Sequence, residues 1–239
     1  MSERDLVGYG GRPPHPRWPG QARVAVQFVL NIEEGAESCV LNGDARSEAY
    51  LHELLGRPPR MGERDLSVEG MYEYGSRAGV WRLLELFSVR DLPLTAFAVG
   101  RALELNPEIG HALQSAGHEV AGHGYRWLDY RDISEDEERR HIRLTVEVIE
   151  RFCGKRPVGW YTGRASENTR RLLREDGGFL YSSDSYNDDL PYWLPGSPSL
   201  LVLPYSLVNN DARYLLPNGF SSGEDFFRTL KDAFDLLWD

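Results

Sequence analysis

The chain has 239 residues, 41% of them hydrophobic, and carries 27 Lys and Arg against 37 Asp and Glu, a net charge of −10. A chain of this length can bury a sizeable core as one large domain or two small ones. The acidic balance, with a pI near 5.2, argues against nucleic-acid binding, which needs a basic surface. No apolar run approaches the roughly 20 residues that span a bilayer, so no membrane partner is expected.

The first residues and the number of cysteines indicate in which cellular compartment the protein is expected. Residues 1–20 contain no apolar core of a signal peptide. Cys39 and Cys153 are too few for a disulfide framework or for a cysteine-type zinc site. The sequence therefore predicts a cytoplasmic protein.

Strand and helix patterns alternate along the chain. Residues 1–22, rich in Gly and Pro, are predicted to form an arm, and no linker or repeat divides residues 23–239. The predicted strands are Arg23–Ile32, Leu94–Val99, His118–Ala121, Pro157–Tyr161, Phe179–Ser183 and Leu200–Tyr205. The predicted helices are Tyr74–Phe87 and four that begin near Asn106, Ser134, Ser166 and Ser221. A long polar loop is expected between the first strand and the first helix.

This alternation predicts an α/β fold with a parallel sheet. The first strand runs into NIEEG (31–35), without a G-x-G-x-x-G or P-loop pattern, which weakens a nucleotide-binding interpretation. In a parallel barrel the strand ends share one rim, where active sites are built. Taken singly, each polar residue there also fits a solvated loop, a packed histidine, a turn or a core aromatic. Their convergence on one rim favours a functional site.

The ionisable residues at these strand ends suit hydrolysis of an amide-like bond. Glu33 or Glu34 can take a proton from an attacking water, and His123 or Arg164 can stabilise the oxyanion or protonate the leaving nitrogen. No G-x-S-x-G elbow supplies a nucleophilic serine. The sequence offers too few ligands for a catalytic zinc, because the residue four positions after His123 is Trp127 and the other histidines lie away from the rim. No metal or cofactor is expected.

Several segments resemble those of a known family. GHEVAGHGYRW (117–127) resembles the G-H-E-[IV]-x-x-H-[TS]-x-x-H segment of the polysaccharide deacetylases, the NodB-homology, carbohydrate esterase 4 superfamily. NIEEG (31–35) stands where that family carries a strand-end Asp pair, and PVGWYTGR (157–164) stands at its Arg-Pro motif. The closer resemblance spans nearly the whole chain and is to the metal-independent, PuuE-type allantoinase branch.

This resemblance implies a deformed (β/α) barrel and the ring-opening hydrolysis of allantoin to allantoate in purine catabolism, without a metal. It implies that Glu33, Glu34 and His123 are catalytic, and it does not say which glutamate is the base. It also implies a homo-oligomer, a tetramer, that acts on a small-molecule substrate. The side chains implied to contact the substrate are Asn31, Tyr125, Trp127, Tyr161, Arg164, Asp184, Asp189 and Trp193.

One departure from the family pattern concerns the C-terminal end. The family carries a further strand-end His motif followed by a last helix, and no equivalent precedes Asp239. We therefore expect a barrel without its closing strand and helix, with an open edge and with reduced or no activity. Two other functions stay open: a metal-dependent polysaccharide or chitooligosaccharide N-deacetylase, and a non-catalytic homologue that binds ligands.

Overall fold

The computed structural model describes residues 4–54 and 56–238 as one α/β arrangement built on a single sheet. Its strands are β1 Val29–Ile32, β2 Thr95–Ala98, β3 Glu119–Gly122, β4 Gly159–Trp160, β5 Tyr181–Ser182, β6 Tyr192–Leu194 and β7 Leu200–Val202. Its helices are α1 Leu66–Tyr74, α2 Val80–Ser88, α3 Gly100–Leu105, α4 Pro107–Ser115, α5 Glu135–Cys153, α6 Thr169–Asp176 and α7 Gly223–Trp238.

The sheet has the order β1-β2-β3-β4-β5-β7-β6. Neighbouring strands are parallel except β6, which pairs antiparallel with β7. The predicted α/β class with a mostly parallel sheet is thus confirmed. Within the described residues the sheet has two outer strands, β1 and β6, and the carboxyl ends of its parallel strands meet at one rim.

Alternating side chains divide the strand residues between two faces. On the outer face Ile32, Ala96 and Ala98 pack under the helices in the largest apolar cluster. On the inner face Phe97 and Tyr161 lie in a smaller, aromatic cluster. This division follows from the two-residue period of a strand. Aromatic side chains on the inner face therefore lie directly below the rim.

All six predicted strands are present; five are shorter than predicted, and the third keeps its length but begins one residue later. The largest difference is in the first, where Val26 and Phe28 are exposed and pairing starts only at Val29. The short strand β6 and helix α3 were not predicted. The expected long loop after β1 contains a helix, α1, which continues through a π-helical segment, Gly75–Gly79, into α2. The helical region predicted at residues 74–87 thus begins eight residues earlier.

The longest helix shows how the local sequence sets an element boundary. Ser134, predicted to begin it, accepts a hydrogen bond from the backbone N–H of Glu137 at 3.2 Å, and Gly154 ends it in the left-handed region. Its buried face includes Ile142 and Ile149. No helix in the described part of the chain is both long and apolar enough to cross a membrane.

Candidate active site

A buried histidine and a glutamate form the centre of the rim. His123 directly follows β3 and is 2% exposed, and its Nε2 lies 3.0 Å from Oε1 of Glu33, which directly follows β1. Its Nδ1 donates to the carbonyl oxygen of Tyr161 at 2.7 Å, directly after β4. Three parallel strands therefore hold one imidazole ring by both of its nitrogen atoms.

The hydrogen-bond partners limit where protons lie in this pair. A carbonyl oxygen only accepts, so Nδ1 of His123 carries a proton. An ionised carboxylate also only accepts, so a hydrogen bond between Nε2 and Glu33 needs a proton on one of the two atoms. The pair thus shares one proton. Oε2 of Glu33 makes no hydrogen bond within the described residues, and the side chain is 19% exposed.

Glu34 has different surroundings from its neighbour. Its Oε2 accepts the backbone N–H of Glu33 at 3.0 Å, and its carboxylate packs against Gly75 in the π-helical segment. Burial raises the pKa of Glu34 to about 7, outweighing the backbone N–H groups that lower it. Of the two adjacent carboxylates, only that of Glu33 contacts His123.

Aromatic rings enclose the histidine from the inner face of the sheet. The His123 ring stacks on Tyr161 with centroids 5.1 Å apart, and Tyr161 stacks on Tyr205 at 4.7 Å. Phe97 lies 5.0 Å from Tyr161. Rings stacked in this way fix the imidazole orientation and give the site a flat, apolar side.

A second aromatic group lies around Trp127, which is 8% exposed. The Arg164 guanidinium lies 3.8 Å from the centre of the indole ring, and its Nη1 donates to Glu48 at 3.4 Å. Tyr50 and Tyr72 also contact the indole, at centroid distances of 5.6 and 5.9 Å. A cation over an indole face is a favourable contact that holds the guanidinium in place.

Asp184, which follows β5, holds the loop that carries Arg164 through hydrogen bonds to its backbone. Both carboxylate oxygens accept the backbone N–H of Thr162 at 2.9 Å, and Oδ1 also accepts that of Gly163 at 2.7 Å. Burial raises the pKa of Asp184, while these backbone N–H groups and the charge of His123 oppose the rise. The structure thus places Asp184 beside the pair, with its oxygens engaged by backbone.

The structure brings only some of the predicted substrate-contacting residues to this cluster. Asn31 lies on β1 two residues before Glu33, and its buried Oδ1 has no partner within the described residues. The Tyr125 hydroxyl donates to Glu104 at 2.9 Å, on α3. Asp189 is exposed without a hydrogen bond to the described residues, and Trp193 is 64% exposed on β6. The roles of these four residues stay predictions.

Residues of the segment that was expected to be a loop complete the cluster. Tyr50, Tyr72 and Glu48 were not among the predicted site residues, because their segment shows no motif spacing. Tyr50 and Tyr72 join the cluster through their ring contacts with Trp127, and Glu48 joins it through its hydrogen bond with Arg164. Tyr205, the last residue of the sixth predicted strand, was also not among the predicted site residues.

A cavity of about 390 Å³ adjoins the cluster. Arg164 and Glu48 line it together with Ser47 and Asp129. Because the Arg164 guanidinium also lies over Trp127, this side chain stands between the cavity and the aromatic group. The cavity is large enough for a small polar molecule.

The residues present do not fit a catalytic metal ion. Such a site needs three protein ligands. His123 and Glu33 supply two, and the described residues contain no group of three or more His, Cys, Asp or Glu side chains able to hold an ion. Trp127, four residues after His123, offers no metal-binding atom.

Comparisons with known proteins agree with this fold. The family model of polysaccharide deacetylases matches residues 63–177. The crystal structure of PuuE allantoinase is 53% identical, covers 100% of this chain and 80% of its own, and superimposes with a TM-score of 0.95. A Pseudomonas aeruginosa structure, named as a probable polysaccharide deacetylase, is 55% identical over 99% of this chain and 80% of its own, also with a TM-score of 0.95.

A curated relative gives the same family. A Schizosaccharomyces pombe protein that carries a polysaccharide deacetylase name is 40% identical in an alignment 255 positions long, which covers 99% of this chain and 80% of the relative. The match extends over both halves of the sheet, including the strand ends that carry Glu33 and His123. The chain therefore belongs to the polysaccharide deacetylase family of hydrolases.

Proposed function

We propose that the protein opens the ring of allantoin to allantoate by hydrolysis of a cyclic amide bond, without a metal. The observation that supports this most is the Glu33–His123 pair, which shares one proton and has a free carboxylate oxygen, Oε2. A carboxylate and an imidazole in contact supply general acid–base catalysis, which contributes about 10²–10⁴-fold to a rate. The likeness to an allantoinase structure at 53% identity supports the choice of substrate.

In the proposed reaction Glu33 is the general base. Its free Oε2 takes a proton from water, the water oxygen bonds to the amide carbon, and the carbonyl electrons move to the oxygen. The cationic Arg164 guanidinium is the group proposed to stabilise this oxyanion. When the C–N bond breaks, the leaving nitrogen takes up a proton from the Glu33–His123 pair.

The surroundings of the pair suit a flat molecule that is dense in N–H and C=O groups. The rings of Tyr161, Tyr205 and Trp127 offer apolar faces. Arg164 and Glu48 offer a donor and an acceptor next to each other. A ligand site that is mostly apolar with a few fixed polar groups selects small molecules by shape and hydrogen bonding.

The names of two relatives favour a second candidate function. The Schizosaccharomyces pombe and Pseudomonas aeruginosa proteins are both named as polysaccharide deacetylases. Removal of an N-acetyl group is also hydrolysis of a C–N amide bond, so the same pair of residues could serve it. The two functions differ in the substrate and in the need for a metal.

Incubation of the purified chain with racemic allantoin, with and without EDTA, tests the proposal. We expect allantoate to form at the same rate in both samples, and we expect the Glu33→Gln variant to form it about 10²–10⁴-fold more slowly. Calorimetric binding of allantoin to Glu33→Gln separates weak turnover from a lack of recognition. Release of acetate from chitooligosaccharides that EDTA abolishes, with no binding of allantoin, would favour the second candidate.

A further inference from the structure

Tyr72 presents a buried hydroxyl without a partner. It lies near the end of α1 and is 3% exposed, and its hydroxyl has no hydrogen-bond partner in the described part of the chain. Buried polar side chains in native proteins are nearly always hydrogen-bonded, so an exception calls for an explanation. The aromatic ring alone would pack equally well if residue 72 were phenylalanine.

The position of this hydroxyl links it to the active-site cluster. The ring packs against Trp127 at an interplanar angle of 61°, and the Arg164 guanidinium lies over the indole ring. Besides burial, the carboxylates of Glu33, Glu48 and Glu37 keep the pKa of Tyr72 far above its ordinary value. The hydroxyl therefore keeps its proton at neutral pH and is available as a donor.

A second oxygen in this neighbourhood also lacks a partner. Oε2 of Glu37 is buried and unpaired within the described residues, and the preceding residue, Ala36, accepts the backbone N–H of Trp127 at 3.0 Å. A free donor and a free acceptor together complement an amide group, which presents a C=O acceptor beside an N–H donor.

We propose that the Tyr72 hydroxyl donates a hydrogen bond to a carbonyl oxygen of the bound cyclic amide, which makes Tyr72 a specificity-determining residue of the site. This inference rests on the proposed function. The hydroxyl is already buried in the protein without a ligand, so the contact does not require it to be desolvated on binding. A ligand without a carbonyl at that position leaves the hydroxyl unpaired and binds more weakly.

The Tyr72→Phe variant tests this inference, because it removes the hydroxyl and keeps the ring on Trp127. Tyr74→Phe is the matched control: Tyr74 is 56% exposed, and its hydroxyl accepts a hydrogen bond from Arg82 at 2.6 Å. Binding of allantoin is measured by calorimetry with Glu33→Gln also present, so that turnover is too slow to disturb the measurement. Thermal unfolding of each variant is measured without ligand.

We expect Tyr72→Phe to weaken allantoin binding by about 10- to 100-fold, since a carbonyl of the ligand is then buried unpaired. The unfolding midpoint is expected to stay unchanged or to rise, because the variant loses an unpaired polar atom. The control is expected to bind as tightly as the chain with Tyr74. A purely structural hydroxyl would instead lower the midpoint and leave binding unchanged.

Three results would overturn the inference. These are binding by Tyr72→Phe within twofold of the unsubstituted chain, an equal loss in Tyr74→Phe, or failure of Tyr72→Phe to fold, which would show a structural role for the hydroxyl. If the chain with Tyr72 neither binds nor hydrolyses allantoin, the proposed function fails and this inference fails with it. If that chain binds allantoin and Tyr72→Phe binds equally, only this inference fails.

Discussion

Glu33 and Glu34 have the same side chain and adjacent positions, yet the fold gives their carboxylates different surroundings. Glu33 contacts His123 and keeps one oxygen free and partly exposed. Glu34 is turned against Gly75 and accepts the backbone N–H of Glu33. At the scale of single residues, this difference assigns the base of the proposed reaction to Glu33.

The two Glu→Gln variants are predicted to differ in activity. Glu33→Gln should lower kcat for the proposed hydrolysis by about 10²–10⁴-fold, because an amide cannot take a proton from water. Glu34→Gln should lower it by less than about tenfold, because its carbonyl can still accept the N–H of Glu33. Steady-state kinetics on allantoin check both values. Equal losses in the two variants would contradict the assignment of the base.

The helical region of residues 66–88 shows how an element serves the site. Between α1 and α2 the helix widens over Gly75–Gly79 into a π-helical segment, a feature that is frequent at functional sites. A Cβ atom on residue 75 would meet Oε1 of Glu34 and would lie 2.9 Å from its Cδ. Only glycine therefore lets this segment approach the Glu34 carboxylate so closely.

Alanine substitutions at two glycines of this region are predicted to have opposite effects on stability. Gly75→Ala should lower the free energy of unfolding by about 1–3 kcal/mol, because the new methyl group displaces Glu34. Gly70→Ala, within α1, should raise it by roughly 0.5–1 kcal/mol, because no atom lies within 4 Å of the added Cβ and alanine favours a helix. Urea unfolding measures both. Stabilisation by Gly75→Ala would contradict the close approach.

At the scale of the whole molecule, burial of Glu34 makes the stability depend on pH. The pKa of Glu34 rises from 4.5 to about 7 on folding. As the pH rises between these values, the unfolded chain loses its proton first and so binds fewer protons than the folded chain. The free energy of unfolding therefore falls over this range. The stabilisation that comes from keeping Glu34 protonated in the folded chain is fully present below pH 4.5 and is lost above about pH 7.

The Glu34→Gln variant is predicted to remove this part of the pH dependence. Between pH 5 and pH 8 the unsubstituted chain should lose about 2–3 kcal/mol more stability than the variant, because most of the pKa shift falls within this range. Urea unfolding at both pH values tests this. Glu167→Gln, at an exposed position, is the control and should follow the unsubstituted chain. A parallel decline in Glu34→Gln would show that other groups cause the dependence.

Much of the fold was accessible from the sequence because it depends on local patterns. Apolar, β-branched runs located six of the seven strands, and the Ser134 cap located the start of α5. The segment expected to be a loop contains the nine-residue helix α1. The other missed elements are shorter: β6 has three residues and α3 has six. Their hydrophobic patterns are too brief to stand out, and tertiary contacts with β7 and with α5 form them.

The sequence by itself determined the α/β class, the family resemblance and the placement of Glu33, His123 and Arg164 after strands. Each of these follows from a motif or from a periodicity within a few residues. Only the tertiary structure decided which glutamate contacts His123 and that Tyr50 and Tyr72 adjoin Trp127. Glu33 and His123 are 90 residues apart in the chain, and sheet pairing through β2 brings them together. Such contacts depend on strand register and helix packing, which no local pattern encodes.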